Sequence, residues 1–151
     1  MKPAPRLRAT ETRRPEQTAR LMAETGLDDA TLHDLVHRFY DKVRVDPMLA
    51  PIFAARIADW EPHLERMVAF WSSVALMTGR YHGAPVPAHA SLPVNGEHFE
   101  RWLALFRQTA EETCTSAGAV HVIERAERIA QSLHMAVQDA ARTTGTAPVF
   151  R

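Results

Sequence analysis

Between Asp28 and Val45 the apolar positions Leu32, Leu35, Val36, Phe39, Tyr40 and Val43 recur at the three- and four-residue spacing of one helical face. Asp28 or Asp29 stands where an N-cap is needed. The pattern stops near Val45, and DPMLAPIF then brings Pro47 and Pro51 into a tight connector that carries Phe53. A second helix is expected from Asp59 or Trp60, with Pro62 in the first turn, where a missing amide costs little. Its inner stripe comprises Trp60, His63 or Leu64, Met67, Phe70, Trp71 and Val74, and it ends before Gly79. A third helix opens near Asn95 and aligns Phe99, Trp102, Leu103, Phe106, Ala110 and Thr113. A fourth carries Val120, Ile123, Ala126, Ala130, Leu133 and Val137. No stretch alternates with the period of a strand, so the fold class is all-α.

Two stretches depart from this periodicity. Residues 1–26 are rich in Lys2, Arg6, Arg8, Arg13, Arg14 and Arg20, broken by Pro3, Pro5 and Pro15, and read as a basic, unpacked extension. A short helix over about Glu16–Glu24, closed by Gly26, is expected within it, because Leu21 and Met22 can dock. The second stretch, GAPVPAHASLPV from Gly83 to Val94, sets His89 among Pro85, Pro87 and Pro93. Prolines lack amide donors and push their predecessors toward extended backbone, so at best a turn or two of helix fits there. Long irregular segments inside compact domains tend to carry function.

Composition narrows the field. A chain of 151 residues with 18 basic and 18 acidic side chains fits one neutral domain, which gives no electrostatic pull toward nucleic acid or an anionic membrane. Its apolar runs fall far short of the roughly 20 residues of a membrane span. No apolar segment follows Arg13 and Arg14 to make a secretion signal. A single cysteine, Cys114, at helical spacing reads as a small core residue and suits the cytoplasm. The chain holds no Gly-rich phosphate loop, HExxH, CxxC or GxSxG. His33 and His37 are four apart but lie off the apolar stripe and read as solvated.

What remains is polar groups on apolar faces, which need partners if they are buried. Tyr40 reads either as a core tyrosine bonded to a backbone carbonyl or as a donor into a pocket. His63 and Trp102 carry the same pair of readings, first-turn histidine or core indole against pocket wall. His89 is the imidazole on the irregular segment, and imidazole is the commonest metal ligand at neutral pH.

The segments RFYDKVRVDPMLAPIF, DWEPHLERMVAFWSSVALMTGRYHGAP, PAHASLP and HFERWLALF, in this order and spacing, resemble the group III truncated haemoglobins over about residues 28–141. The resemblance implies a truncated globin of residues 27–142, a two-over-two helical sandwich enclosing a b-type haem, with flexible ends at 1–26 and 143–151. By it, His89 is the iron ligand. Tyr40 and Trp102 are donors to a ligand on the opposite side, and His63 lines or gates that space. Met67 presses on the same side, Phe53 packs on the haem edge, and Arg66 reaches a propionate. Tyr81 and Arg80 either touch the haem or close the loop. Pro62, directly before His63, departs from the family pattern and affects where that histidine points.

The resemblance implies reversible binding of dioxygen, with nitric oxide or peroxide as other small ligands. Nitric oxide dioxygenase or peroxidase-like turnover, served by an external reductase, is compatible with it, and the expected state is a cytoplasmic monomer. The rivals are a cofactor-free helical interaction module, which predicts a colourless protein, and a haem sensor or haem-transfer protein.

Overall fold

The computed structural model describes residues 9–85 and 89–144. Pro87, the start of the basic extension (residues 1–8) and the tail beyond residue 144 lie outside the described residues. Among the described residues there are helices and no strands: α1 (Ala9–Thr25), α2 (Asp29–Val45), α3 (Ala50–Arg56), α4 (Trp60–Leu76), α5 (Gly96–Thr113) and α6 (Ser116–Thr144).

The predicted stripe of α2 is its buried face, from Leu32 to Val43. Asp28 caps it by accepting the Thr31 amide at 2.8 Å. One face of α2 must cover two neighbours, and it packs on both α4 and α5, while α5 packs on α6. Helices α2 and α4 thus form one layer and α5 and α6 the other. Where α2 ends, Asp46 is buried and accepts the Met48 and Leu49 amides at 3.1 and 3.0 Å and Arg101 Nε at 2.6 Å. Burial alone raises the pKa of this carboxyl, but the Arg101 bond and the two amides outweigh it and hold the group below its ordinary value. Asp46 thereby ties the connector to α5. The connector itself contains α3, which periodicity does not reveal, since Pro51 falls in its first turn.

Helix α1 corrects the reading of an unpacked extension. It runs well beyond Glu16–Glu24, with Pro15 inside it, and packs on α4 and α6. The Thr18 hydroxyl donates to the Leu76 carbonyl at 2.6 Å, supplying an acceptor at the end of α4 with the partner that helix termini lack. Gly26 closes α1 at φ +72°, and its amide donates to Met22 O at 2.9 Å. The adjoining Leu27 is fully buried.

Helix α6 differs from its predicted face. Val120 is 58% exposed, whereas Val122 is 0% exposed, so the buried line runs Ala119, Val122, Ala126, Ala130, Leu133 and Val137. The phase is set at Gly118, where α6 lies against the Thr25 carbonyl and the Leu27 side chain. In α5, Leu105 and Thr109 are buried where the stripe did not place them. Thr109 is admitted because its hydroxyl donates to Leu105 O at 2.7 Å and accepts from Lys42 Nζ at 3.0 Å.

Candidate functional site

Between the two layers lies a cavity of about 280 Å³. All but one of the residues singled out in the sequence line it: Tyr40 from α2, Phe53 from α3, His63, Arg66 and Met67 from α4, Tyr81, His89, and Trp102 from α5. Arg80 is not among the lining residues; it pairs with Asp29 and closes the loop after α4. The sequence reading did not single out Phe70, His98, Phe99 or Ile129 as pocket residues, although they line the same cavity. Their apolar spacing marked Phe70 and Phe99 for burial and could not separate a core from a cavity wall, while His98 and Ile129 stood on no predicted stripe.

The first turn of α4 aims His63 inward. Asp59 caps the helix by accepting the Glu61 amide at 3.3 Å, and Pro62 occupies a position where no amide is needed. The proline is exposed and the histidine half-buried, so Pro62 does not turn His63 away. His63 Nε2 is buried with no hydrogen-bond partner among the described residues. Burial holds its pKa down at about 4, helped by the nearby Arg66 and His89, so the ring is neutral at physiological pH.

The sign of the pH effect follows. An unfolded chain takes up this proton as pH falls through the ordinary 6.5, and the folded chain does so only near 4. His63 therefore destabilises the fold progressively as pH drops across that window and does not above it. A His63→Leu variant is expected to lose less melting temperature than wild type between those limits. Thermal unfolding at a series of pH values checks this, and equal losses contradict it.

Tyr40 is 6% exposed, and burial pushes its phenol pKa upward, so it stays protonated. Its hydroxyl meets no backbone carbonyl among the described residues, and the Trp102 indole N–H is likewise without a partner there. Ring packing fixes both. Tyr40 sits edge-on to Phe39, Phe53 and His63 at centroid distances of 5.0, 5.8 and 5.3 Å. Trp102 stacks on Phe106 at 5.5 Å and meets Phe39 edge-on at 5.4 Å. Trp60 packs beside Tyr40 and carries the Arg44 guanidinium 4.5 Å from its ring.

His89 lines the same cavity, with its Nδ1 2.6 Å from the Pro85 carbonyl. A carbonyl only accepts, so Nδ1 carries the hydrogen and Nε2 keeps its lone pair. Pro85 and His89 both have helical backbone geometry, in keeping with a turn bounded by prolines. Arg56 Nη2 reaches Ser91 O at 3.3 Å and so ties α3 to this segment.

The bare Nε2 of His89 therefore opens on a largely apolar cavity together with a phenol, an indole and the buried His63 Nε2, none of which has a protein partner among the described residues, while Arg66 and His98 add polar groups to the lining. This donor set fits a planar apolar cofactor whose metal takes one protein nitrogen and one small exogenous ligand. Among the described residues no helix is long and apolar enough to cross a membrane. No cluster of three or more His, Cys, Asp or Glu side chains capable of holding a bare metal ion occurs among them.

Comparison with known proteins agrees. The model of the bacterial-like globin family matches residues 22–139. The group 3 truncated haemoglobin of Campylobacter jejuni is 32% identical over 109 residues, covering 69% of this chain and 86% of that protein. The crystal structure of the group III truncated haemoglobin from Campylobacter jejuni superposes with a TM-score of 0.69 at 30% identity, over 74% of this chain and 91% of that one. The chain belongs to the bacterial-like globins, within them to the group III truncated haemoglobins, and so to a family whose cofactor is haem.

Proposed function

We propose that this protein binds a b-type haem through His89 and uses the space between Tyr40, Trp102 and His63 to hold dioxygen or a related diatomic ligand. The observation that carries the reading is the His89–Pro85 contact, which puts the ring hydrogen on Nδ1 and leaves the Nε2 lone pair suited to iron. Haem supplies reversible coordination and redox chemistry that side chains lack.

The chain's own contribution is polar. Tyr40 and Trp102 donate to a ligand that gains negative charge, in surroundings of low dielectric where such bonds strengthen. His63, neutral and half-buried, lines the same space. Phe53 and Met67 supply apolar contact to the cofactor, and Arg66, exposed at the cavity wall, faces a propionate. Tyr81 completes the wall after α4, its amide donating to Ser73 Oγ at 2.9 Å. Any turnover of nitric oxide or peroxide at the haem would need electrons from an external reductase. The globin domain we assign spans residues 27–142.

Titration of the full chain with haem is expected to give a sharp Soret band that saturates at one equivalent. A chain that produces no such band contradicts the reading and favours a cofactor-free helical module.

A further inference from the structure

We propose that His98 is a second anchor for the anionic edge of the cofactor, donating from Nε2 to a haem carboxylate; this rests on the haem reading above. His98 is the third residue of α5, half-buried, and lines the cavity beside Phe99. The backbone amide of Asn95 lies 3.1 Å from its Nδ1. An amide N–H can only donate, so Nδ1 is the acceptor and the ring hydrogen sits on Nε2. Asn95 Oδ1 is also 3.1 Å from Nδ1, but it already accepts the Glu97 and His98 amides at 2.9 and 3.4 Å. The capping arrangement thus fixes the tautomer and leaves a donor with no partner among the described residues, on a cavity wall that is otherwise Phe99, Ile129, Leu133 and their apolar neighbours.

Two further observations favour an anion there. His98 stands in the first turn of α5, at the positive end of the helix dipole, while the Glu97 and His98 amides are themselves taken up by Asn95 Oδ1. Glutamate or glutamine is the usual partner in such a capping box, and glutamate would repel a carboxylate where histidine donates to it. Arg66, also without an ion pair among the described residues, stands on the α4 side, so one donor from each layer is available for the two propionates.

The test uses the full-length protein loaded with haem or with haem whose propionates are both esterified. Transfer to an excess of an apoglobin acceptor is followed by the Soret band for wild type, His98→Phe and His98→Gln. A lost hydrogen bond to a charged group predicts roughly tenfold faster release of ordinary haem from His98→Phe. His98→Gln keeps a capping acceptor and an amide donor, so it is expected to fall between the two, and the esterified haem should leave wild type and His98→Phe equally fast. Equal acceleration with both haems, or none with either, overturns the proposal and makes His98 a cap alone. Failure of wild type to take up haem at all overturns the underlying haem reading instead.

Discussion

Tyr40→Phe is expected to release dioxygen about ten- to a hundredfold faster than wild type, the range set by losing one hydrogen bond to a charged acceptor in a dry pocket. The substitution removes one oxygen and keeps the ring, so the edge-on contacts to Phe39, Phe53, Trp60 and His63 survive. The effect therefore isolates the hydroxyl from packing. Trp102 remains as a second donor and caps the size of the loss. Rapid mixing of the dioxygen complex with excess carbon monoxide reads the release rate. An unchanged rate contradicts the donor role of Tyr40, whereas an equal loss of folding stability would mark a structural hydroxyl.

The second large effect is on the fold. Gly118→Val is expected to destabilise the protein by about 3 kcal/mol, the upper range for forced overpacking. A Cβ at Gly118 would lie 2.8 Å from the Thr25 carbonyl oxygen and 3.2 Å from Leu27 Cδ2. The first is backbone and cannot rotate aside, so the start of α6 must lift from the turn between α1 and α2. That shift also strains the Thr115 hydroxyl bond to Thr25 O, now 2.6 Å. Urea unfolding midpoints of the two proteins measure the difference, and a change below about 1 kcal/mol would show that this approach is looser than its distances imply.

Much of the architecture was legible because α2 obeys one rule throughout. Its stripe from Leu32 to Val43 is buried on a single side, and the apolar period alone predicts that. The period failed where a polar residue finds a local partner, as Thr109 does on Leu105 O, or where a close approach resets the phase, as Gly118 does for Val120 and Val122. Leu21 foretold the docked end of α1 and packs on the core, but the helix was read too short because Pro15 reads as a break and because the Thr18 hydroxyl bond to Leu76 O adds no apolar signal.

The site was legible in a different way. Periodicity left Tyr40, His63 and Trp102 as either core or pocket residues, and only the motif resemblance placed them on one wall. The structure gathers all three with His89 around one cavity. His98 escaped notice because its place on α5 was that of a capping residue, and nothing in the spacing tells a cap from a pocket donor.

The role of His89 is tested most directly by the optical spectrum of reduced, haem-loaded His89→Gly beside wild type, with and without added imidazole. Ligation through His89 Nε2 predicts that the variant loses the wild-type Soret position and intensity and regains them as imidazole fills the space left by the side chain. A variant that keeps the wild-type spectrum without imidazole contradicts His89 as the iron ligand.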